Sequence, residues 1–368
     1  MIPLCEPLLS GNEWAYIKDC LDTNWVSSVG AYVTRFEESF AARIGTPAAV
    51  VTMNGTAAIT LALQALGIGA GDEVLVPSMT FAASVNPITY VGATPVFVDI
   101  CADTWVMDAE KIEALITPRT KAILPVHIYG NVADISAILS LAEKYNLKVL
   151  EDATESLGAA YCLNGEWLET GAMGDYGAFS FNGNKVITTG AGGMLVSKDE
   201  ALCDRAKYLS NQAKSTFPNG GMYHEEIGYN YRMPNILAAL GLAQLEKLDA
   251  YTEQKQAQAR LYMKELAGTP LVLPHTKDNV RHSQWMFSAL AQSEAERDAL
   301  LIHLKNAGIQ ARPFFACLHT MKPYAAFPAG NLRVSMEVSA RGFNLPSTVG
   351  LPEMDIQAVC AAVRGFYA

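Results

Sequence analysis

Short apolar runs alternate with amphipathic segments through the first half of the chain. Runs such as AVVTM at 49–53 and KVLED at 148–152 are typical of central strands that are buried on both faces of a parallel sheet. The predicted strands are 49–53, 73–76, 95–99, 122–126, 148–151, 178–181 and 193–197. The helices predicted between them are 56–66, 81–90, 109–116, 135–145 and 198–208. This alternation predicts an α/β fold with a mostly parallel sheet that is covered on both faces.

The pattern changes after residue 230, where strands and helices no longer alternate. The helices predicted in this part are 234–250, 253–266, 294–306 and 355–366. We therefore predict a large domain over residues 1–250, which includes two helices within 12–44, and a small α+β domain over residues 251–368.

Composition and charge exclude several broad classes of protein. Half of the 368 residues are hydrophobic and 17% are charged, which suits a large buried core and is too apolar for a disordered chain. The formal net charge is −10 and no basic cluster occurs, so nucleic-acid binding is not expected. No run of about 18 apolar residues is present, so we expect no membrane span.

The cysteines and the first residues indicate a compartment. The seven cysteines lie far apart without a CxxC pair, so we expect reduced thiols. The opening MIPLCEPLLSGNEW lacks the basic region and apolar run of a signal peptide, and we therefore expect a cytoplasmic protein. The histidines lack the spacing of a metal site, so no metal is predicted.

The first of three chemically unusual loops follows the predicted strand 49–53. Asn54, Gly55 and Thr56 lead directly from this strand into a helix, and ligands of open α/β sheets bind beyond the carboxyl ends of the strands. The N–H groups of such a helix N-terminus can bind phosphate. The alternative, that Thr56 only caps the helix, stays open from this segment alone.

The second loop, EDATESLGA, follows the predicted strand 148–151. Glu151 and Asp152 end a strand that should be buried. Asp152 and Glu155 fit the D-x-x-E pattern of a helix capping box, which is the structural explanation. The functional alternative is a carboxylate in a partly dry cleft that holds a proton on a basic nitrogen. This motif alone leaves both open.

The third loop, in GDYGAFSFNGNKVITTGAGGML, is the most informative. A loop lysine such as Lys185 is usually a solvated ammonium, and dense glycines often only form a hairpin. A lysine at the carboxyl edge of a sheet can, however, lose hydration and form a Schiff base, and Ser180 and Thr189 could bind phosphate. The three loops together supply a phosphate site, a carboxylate and an amine, the set that pyridoxal 5′-phosphate (PLP) requires.

At these residues the chain resembles the sugar aminotransferases of the DegT/DnrJ/EryC1/StrS family. The matching segments are NGTAAI, GDEVLVPSMTFAASVNPI, GATPVFVDI, PVHIYGN, EDATESLGA, GDYGAFSFNGNKVITTGAGG, GYNYRMPN and FNLPS. The similarity runs nearly from end to end. It implies the PLP-dependent aspartate aminotransferase fold (fold type I), with a large, mostly parallel sheet domain and a smaller α+β C-terminal domain.

The resemblance also assigns roles to residues. Lys185 would form the Schiff base and Asp152 would face the pyridine nitrogen, so these are the predicted catalytic residues. Phe81 matches an aromatic residue that stacks on the cofactor, Glu155 stands where the family often has glutamine, and Asn230 would reach the phosphate from the neighbouring subunit of a homodimer. The predicted cofactor-binding residues are Gly55, Thr56, Ala57, Phe81, Asp152, Glu155, Ser180, Lys185 and Asn230.

The implied reaction transfers an amino group from L-glutamate to C4 of a nucleotide-linked 4-keto-6-deoxy sugar, with pyridoxamine phosphate as the aminated cofactor. The opening segment and FNGNK most resemble enzymes that aminate UDP-2-acetamido-4-keto-2,6-dideoxyhexose for cell-surface glycans, as in the bacillosamine and legionaminic acid pathways. The alternative is a GDP-4-keto-6-deoxymannose 4-aminotransferase (perosamine synthase), which shares GNK-x-ITTG. The predicted substrate residues are Trp25, Arg232, Arg312 and His319, for which core packing or surface ion pairs are the structural alternatives.

Two other classes compete with this function. The PLP-dependent sugar dehydratases of the same family carry histidine at the lysine position, so Lys185 favours amino transfer. A catalytically inactive paralogue should have lost Lys185 or Asp152, and both are present. A nicotinamide-dependent dehydrogenase would need a GxGxxG motif after the first strand, where NGTAA stands.

Overall fold

Eleven α-helices and fifteen β-strands form the regular structure of the computed structural model, which describes all residues from 1 to 368. The helices are α1 (Glu13–Asp22), α2 (Ala31–Ile44), α3 (Gly55–Ala65), α4 (Ala82–Tyr90), α5 (Ile135–Tyr145), α6 (Glu200–Ser210), α7 (Asn235–Leu245), α8 (Leu248–Glu265), α9 (Glu294–Asn306), α10 (Arg333–Arg341) and α11 (Glu353–Tyr367). The strands are β1 (Ala48–Thr52), β2 (Glu73–Pro77), β3 (Thr94–Val98), β4 (Thr120–Ile123), β5 (Lys148–Asp152), β6 (Ala160–Leu163), β7 (Glu166–Glu169), β8 (Tyr176–Ser180), β9 (Gly193–Ser197), β10 (Lys214–Thr216), β11 (Met222–His224), β12 (Val280–Arg281), β13 (Phe287–Leu290), β14 (Arg312–Pro313) and β15 (Gly342–Leu345).

One seven-stranded sheet contains all seven strands that the sequence predicts, with small shifts in their bounds. Its strand order is β1-β9-β8-β5-β4-β2-β3. Strands β8, β5, β4, β2 and β3 pair in parallel, whereas β9 pairs antiparallel with both β1 and β8. The predicted α/β fold with a mostly parallel sheet is confirmed. Its parallel strands therefore end at one common edge.

Burial explains why the strands of this sheet are apolar throughout. All five residues of β2 are buried, and because successive side chains point to opposite faces, both faces must be covered. Helix α3 packs against β8 and β9 on one side and contacts α4 and α6 as well. That position leaves α3 little exposed surface, so eight of its eleven residues are buried.

The predicted helix at 109–116 is the clearest error in secondary structure. It forms two short 3₁₀ turns, Ala109–Lys111 and Glu113–Leu115. Ile112, which is fully buried, is the only buried residue of this stretch. One apolar anchor does not stabilise a longer helix, because helices in proteins depend on a continuous buried face.

A second apolar core lies in the C-terminal part of the chain. It contains 17 buried residues, among them Tyr262, Leu300 and Val363, and it is separate from the 81-residue core around the large sheet. Strands β13, β15 and β14 form a three-stranded antiparallel sheet there. The predicted division between residues 250 and 251 falls within α8 and stays a prediction.

Two further observations concern the whole chain. None of the helices combines the length and the apolar character that crossing a lipid bilayer requires. All seven cysteines are free thiols in the structure.

Candidate active site

A cavity of about 430 Å³ opens where the parallel strands end and where α3 and α4 begin. It brings together eight residues predicted for the site, which are Gly55, Thr56, Phe81, Asp152, Glu155, Ser180, Lys185 and Arg312. Its lining also includes Thr80, Ser84, Thr154, Asn182, Asn184, Trp285 and Phe315. The C-terminal part of the chain thus supplies one wall, and the volume suits a small-molecule ligand.

The N-terminus of α3 supplies an anion site. Asn54 caps the helix by accepting the N–H of Ala57 on Oδ1 at 2.8 Å, so the interpretation of Thr56 as the cap is wrong. The N–H groups of Gly55 and Thr56 have no acceptor within the chain. A Cβ on Gly55 would lie 3.1 Å from the Cβ of Ser180, so glycine allows the backbone to approach this serine. Two free N–H groups beside Ser180 are suited to binding phosphate.

Asp152 ends β5 with its side chain on the cavity. Its Oδ2 accepts a hydrogen bond from the Ser84 hydroxyl at 2.6 Å, and its Oδ1 accepts the N–H of Thr154 at 3.1 Å. Residues 154–158 form turns and not a helix, so the capping-box interpretation of Asp152 and Glu155 is wrong. The carboxylate is therefore held from two sides while it borders the cavity.

Glu151, the preceding residue of β5, is fully buried, and its carboxylate accepts hydrogen bonds from the surrounding chain. Nδ1 of His127 accepts the N–H of Ala133 at 3.2 Å, so Nε2 carries the proton and donates it to Glu151 at 3.0 Å. Burial opposes the ionisation of Glu151, but His127 and the N–H groups of Gly171 and Gly174 outweigh it and lower its pKa. This carboxylate fixes the loop that follows β7.

Lys185 lies between a carboxylate and an aromatic ring. Its Nζ is 3.5 Å from Oε1 of Glu155 and 4.0 Å from the centre of the Trp285 ring. The indole N–H of Trp285 donates to the carbonyl of Asn184 at 2.7 Å, which fixes the loop that carries the lysine. The amine thus has Glu155 as its carboxylate partner and also borders the cavity.

Glu155 is a buried carboxyl group beside this amine. It is 5% exposed, and its Oε2 accepts the N–H of Tyr129 at 2.9 Å. Burial raises the pKa of Glu155, and the charge of Lys185 counteracts only part of that effect. The protonation state of this position therefore responds to whatever replaces or neutralises the ammonium.

Phe81, Phe315 and Arg312 also line the cavity. The rings of Phe81 and Phe315 are 5.6 Å apart, and the guanidinium of Arg312 lies 5.6 Å from the Phe315 ring and 5.8 Å from the Trp285 ring. Nη2 of Arg312 is buried and has no hydrogen-bond partner. A buried donor without a partner is costly, so this group is suited to an anionic ligand.

Five predicted residues do not line the cavity of this chain. The N–H of Ala57 is occupied by the cap of α3, and His319 binds Ser78 Oγ through Nδ1 at 2.7 Å. Burial lowers the pKa of His319, as in a structural histidine. Trp25 is 55% exposed, and Asn230 is exposed as well. Arg232 lies outside the cavity lining, and its Nε is buried without a hydrogen-bond partner. The roles of these five residues stay predictions.

Two residues that touch the central groups, Ser84 and Trp285, are not among those predicted from the sequence. Ser84 had a usable signal, because it follows Phe81 by three positions at the start of a predicted helix, on the face of the helix that Phe81 also occupies. Trp285 had none, since it comes from a distant segment whose position depends on how the C-terminal part packs.

Comparisons with known proteins agree with this geometry. The model of the DegT/DnrJ/EryC1/StrS aminotransferase family matches residues 7–364. The chain belongs to this family. It is 44% identical over 366 residues to GDP-perosamine synthase of Caulobacter vibrioides, covering 98% of this chain and 97% of that protein. It is 42% identical to GDP-perosamine synthase of Escherichia coli O157:H7, covering 100% and 99%.

Solved structures support the fold and the cofactor. The PMP form of Spr1654 from Streptococcus pneumoniae superposes with a TM-score of 0.92 at 26% identity, covering 100% of this chain and 99% of that one, and its PLP form is similar too. The protein is thus a PLP-dependent sugar aminotransferase of fold type I. The cavity fits PLP, because it offers free N–H groups for a phosphate, a carboxylate and an amine within one space.

Proposed function

We propose that the protein transfers an amino group from glutamate to C4 of GDP-4-keto-6-deoxymannose. The observation that carries this proposal is the full-length identity of more than 40% with GDP-perosamine synthases. It favours the second of the two sugars considered from the sequence over UDP-2-acetamido-4-keto-2,6-dideoxyhexose. The cavity supports the chemistry because an amine, a carboxylate and an anion site converge there.

Lys185 would do the central work. Bound PLP supplies an aldehyde carbon that bonds to amines and a ring that accepts electrons. Lys185 would hold the cofactor through Nζ, and after displacement by the incoming amine its Nζ would take the proton from Cα of glutamate. Its position 3.5 Å from Glu155 provides a neighbouring acceptor for the ammonium formed in that step.

Asp152 and α3 would orient the cofactor. Asp152 would hold a proton on the pyridine nitrogen, since a carboxylate held by Ser84 and Thr154 can accept a further bond from the cavity side. The N–H groups of Gly55 and Thr56, with Ser180, would bind the phosphate. Phe81 would cover the ring.

Arg312 would bind an anionic part of the nucleotide sugar. The chain has a net charge of −10, so a dianionic diphosphate needs a local cation. Arg312 meets that need, because its buried Nη2 borders the cavity without a partner. A planar guanidinium also offers two parallel donors, which match the oxygens of a phosphate.

The active enzyme would be a homodimer with shared sites. Several large apolar side chains are exposed on the segments near α1 and β11, including Trp14 (78%), Met222 (67%) and Ile227 (88%). Asn230, three residues after Ile227, is also exposed and does not line the cavity of its own chain. A second copy would cover these apolar groups and place Asn230 at the phosphate of the partner site.

The substrate assignment is tested with a panel of nucleotide-linked 4-keto sugars, PLP and glutamate. We expect GDP-4-keto-6-deoxymannose to be aminated at C4 with the highest kcat/KM, and NMR of the product identifies the new amine. Preferential turnover of the UDP-linked acetamido sugar would restore the first alternative. Loss of the 3-hydroxyl without amine incorporation would indicate a dehydratase.

Sharing of sites is tested by mixing two weak variants, Lys185→Ala and Asn230→Asp. A mixed dimer has one site with both lesions and one intact site only if Asn230 acts across the interface. Random reassembly should then restore about a quarter of the wild-type activity. Activity that stays at the mean of the two parents would place Asn230 outside the partner site, and sedimentation velocity reports the oligomeric state directly.

A further inference from the structure

Three buried side chains form a hydrogen-bonded row along the wall of the cavity. The hydroxyl of Ser84 donates to Oδ2 of Asp152 at 2.6 Å, and Oγ1 of Thr80 lies 2.9 Å from Oγ of Ser84. Thr80, Ser84 and Asp152 are only 2%, 3% and 2% exposed. At this degree of burial, bulk water does not replace a lost hydrogen bond.

The direction of each bond in this row follows from the number of protons. An ionised carboxylate only accepts, so the single hydroxyl proton of Ser84 points to Asp152. The Thr80 hydroxyl must then be the donor to Ser84. Both hydroxyl protons are therefore directed towards the carboxylate, whose other oxygen is held by the N–H of Thr154.

The first turn of α4 couples this row to the wall of the cavity. The helix begins at Ala82, so Phe81 and Ser84 lie three residues apart on one face. One turn thus presents an aromatic ring to the cavity and a hydroxyl to the carboxylate at its floor. A shift of α4 would move both groups together.

We propose that Ser84 is a positioning residue for amino transfer, acting through Asp152. Its hydroxyl fixes the carboxylate in the orientation that holds a proton on the pyridine nitrogen, and Thr80 fixes the direction of that hydroxyl. This inference rests on the proposed role of Asp152. The hydroxyl of Ser84 is bonded to Thr80 and Asp152, so its loss should slow amino transfer more than it weakens the binding of PLP or glutamate.

The test compares Ser84→Ala, Ser84→Thr and Thr80→Val at saturating PLP. The quantity measured is the first-order rate constant for amino transfer from glutamate in a single turnover. We expect Ser84→Ala to lower it by about 10- to 100-fold, since a hydrogen bond to a charged group is lost. We expect Ser84→Thr to stay within about threefold of wild type and Thr80→Val to lose about threefold, because Ser84 keeps its bond to Asp152.

Measurements of binding and stability distinguish a positioning role of Ser84 from a purely structural one. The dissociation constant of PLP and the KM for glutamate should change by less than about threefold in Ser84→Ala, because Lys185 and the N-terminus of α3 remain. Ser156→Ala is the matched control: this buried hydroxyl follows Glu155 but binds Thr170. We expect it to lower the melting temperature without slowing the single turnover.

Several outcomes would overturn the role of Ser84. These are a wild-type rate constant in Ser84→Ala with PLP fully bound, an effect no larger than that of Ser156→Ala, or a loss in Ser84→Thr as large as in Ser84→Ala together with an unchanged Thr80→Val. The proposed function fails separately, if the wild type binds no PLP or if Lys185→Ala keeps the visible absorbance of the imine.

Discussion

Two lysines contact Trp285, Lys185 at the indole ring and Lys255 at the backbone carbonyl, and their surroundings differ in kind. Nζ of Lys185 lies over the indole ring, 3.5 Å from Glu155, and borders the cavity. Lys255 is 1% exposed, and its Nζ donates to the carbonyls of Trp285 and Ser347. Burial lowers the pKa of Lys255, although the proposed chemistry does not use this lysine.

Unused hydrogen-bonding capacity, more than burial, therefore distinguishes a side chain that lines the cavity from one in the protein interior. The same contrast separates Asp152 from Glu151, which are neighbours on β5. Glu151 accepts four hydrogen bonds from His127 and three backbone N–H groups, whereas Asp152 accepts two and borders the cavity. Groups that keep capacity towards the cavity are the candidates for chemistry.

The largest effect is expected when each lysine is removed in turn. Lys185→Ala should lower turnover by about 10⁴-fold or more, because one side chain serves as covalent anchor and proton carrier. Lys255→Met should keep the visible absorbance of bound PLP and instead lower the free energy of unfolding by about 1–3 kcal/mol, since two buried carbonyls lose their donor. Absorbance spectra, mass spectrometry after borohydride reduction and urea unfolding measure these changes.

A reversed outcome for the two lysines would break the comparison. If borohydride fixed PLP to Lys255 in the Lys185→Ala variant, unused hydrogen-bonding capacity would be the wrong criterion for identifying the reactive lysine. If Lys255→Met lost the absorbance while it stayed folded, Lys255 would belong to the reactive region.

The two carboxylates give the next largest contrast. Asp152→Asn should bind PLP but transfer the amino group about 10²- to 10³-fold more slowly, because the charge that holds the ring proton is gone. Glu151→Gln should destabilise the fold by about 3 kcal/mol, because its amide group would face donors. Single-turnover rates and urea midpoints separate the two effects, and near-normal transfer in Asp152→Asn would remove this residue from the mechanism.

Local sequence carried most of the sheet and half of the site. The seven strands of the large sheet are predictable because each is a short apolar run bounded by turn residues. Asp152, Ser180 and Lys185 meet in the cavity because the loops that follow neighbouring strands share one edge. The cap by Asn54 was missed because Thr56 is an equally good capping residue in sequence.

Other contacts depend on packing between distant segments and leave no local pattern. Trp285 and Phe315 reach the cavity only because the C-terminal part of the chain docks on the edge of the sheet. Glu151 differs from Asp152 because the His127 ring and the loop at 171–174 donate hydrogen bonds to its carboxylate. Adjacent acidic residues at the end of a strand do not indicate which of them meets a cavity.

Arginines allow the comparison to be extended to substrate binding. Arg312→Gln should raise the KM for the nucleotide sugar by about 10- to 100-fold with a smaller change in kcat, because a charged donor to an anion is lost. Arg297, which is bonded to Asp298 and Glu294 and is 7% exposed, is the partnered counterpart. Arg297→Gln should affect stability and leave that KM unchanged. Steady-state kinetics with both substrates decides, and an unchanged KM in Arg312→Gln would contradict the assignment.

The smallest expected effect is the contribution of one buried histidine, His282, to the pH dependence of stability. Nδ1 of His282 accepts the N–H of Gln284 at 2.8 Å, next to Trp285, and burial lowers the pKa of His282 to about 3. The unfolded chain takes up this proton near pH 6.5 while the folded chain does not, so stability falls as the pH drops below that value. At pH 5 the loss amounts to about 2 kcal/mol.

His282→Asn tests this contribution, because the Asn side chain can accept the same N–H and does not titrate in this range. The fall in the free energy of unfolding between pH 7 and pH 5 should be smaller in the variant than in wild type by about 2 kcal/mol. Urea unfolding at pH 5, 6 and 7 measures the difference, in which the contributions of all other groups cancel. Parallel pH dependences would mean that the folded protein protonates His282 readily in spite of its burial, which would contradict the prediction.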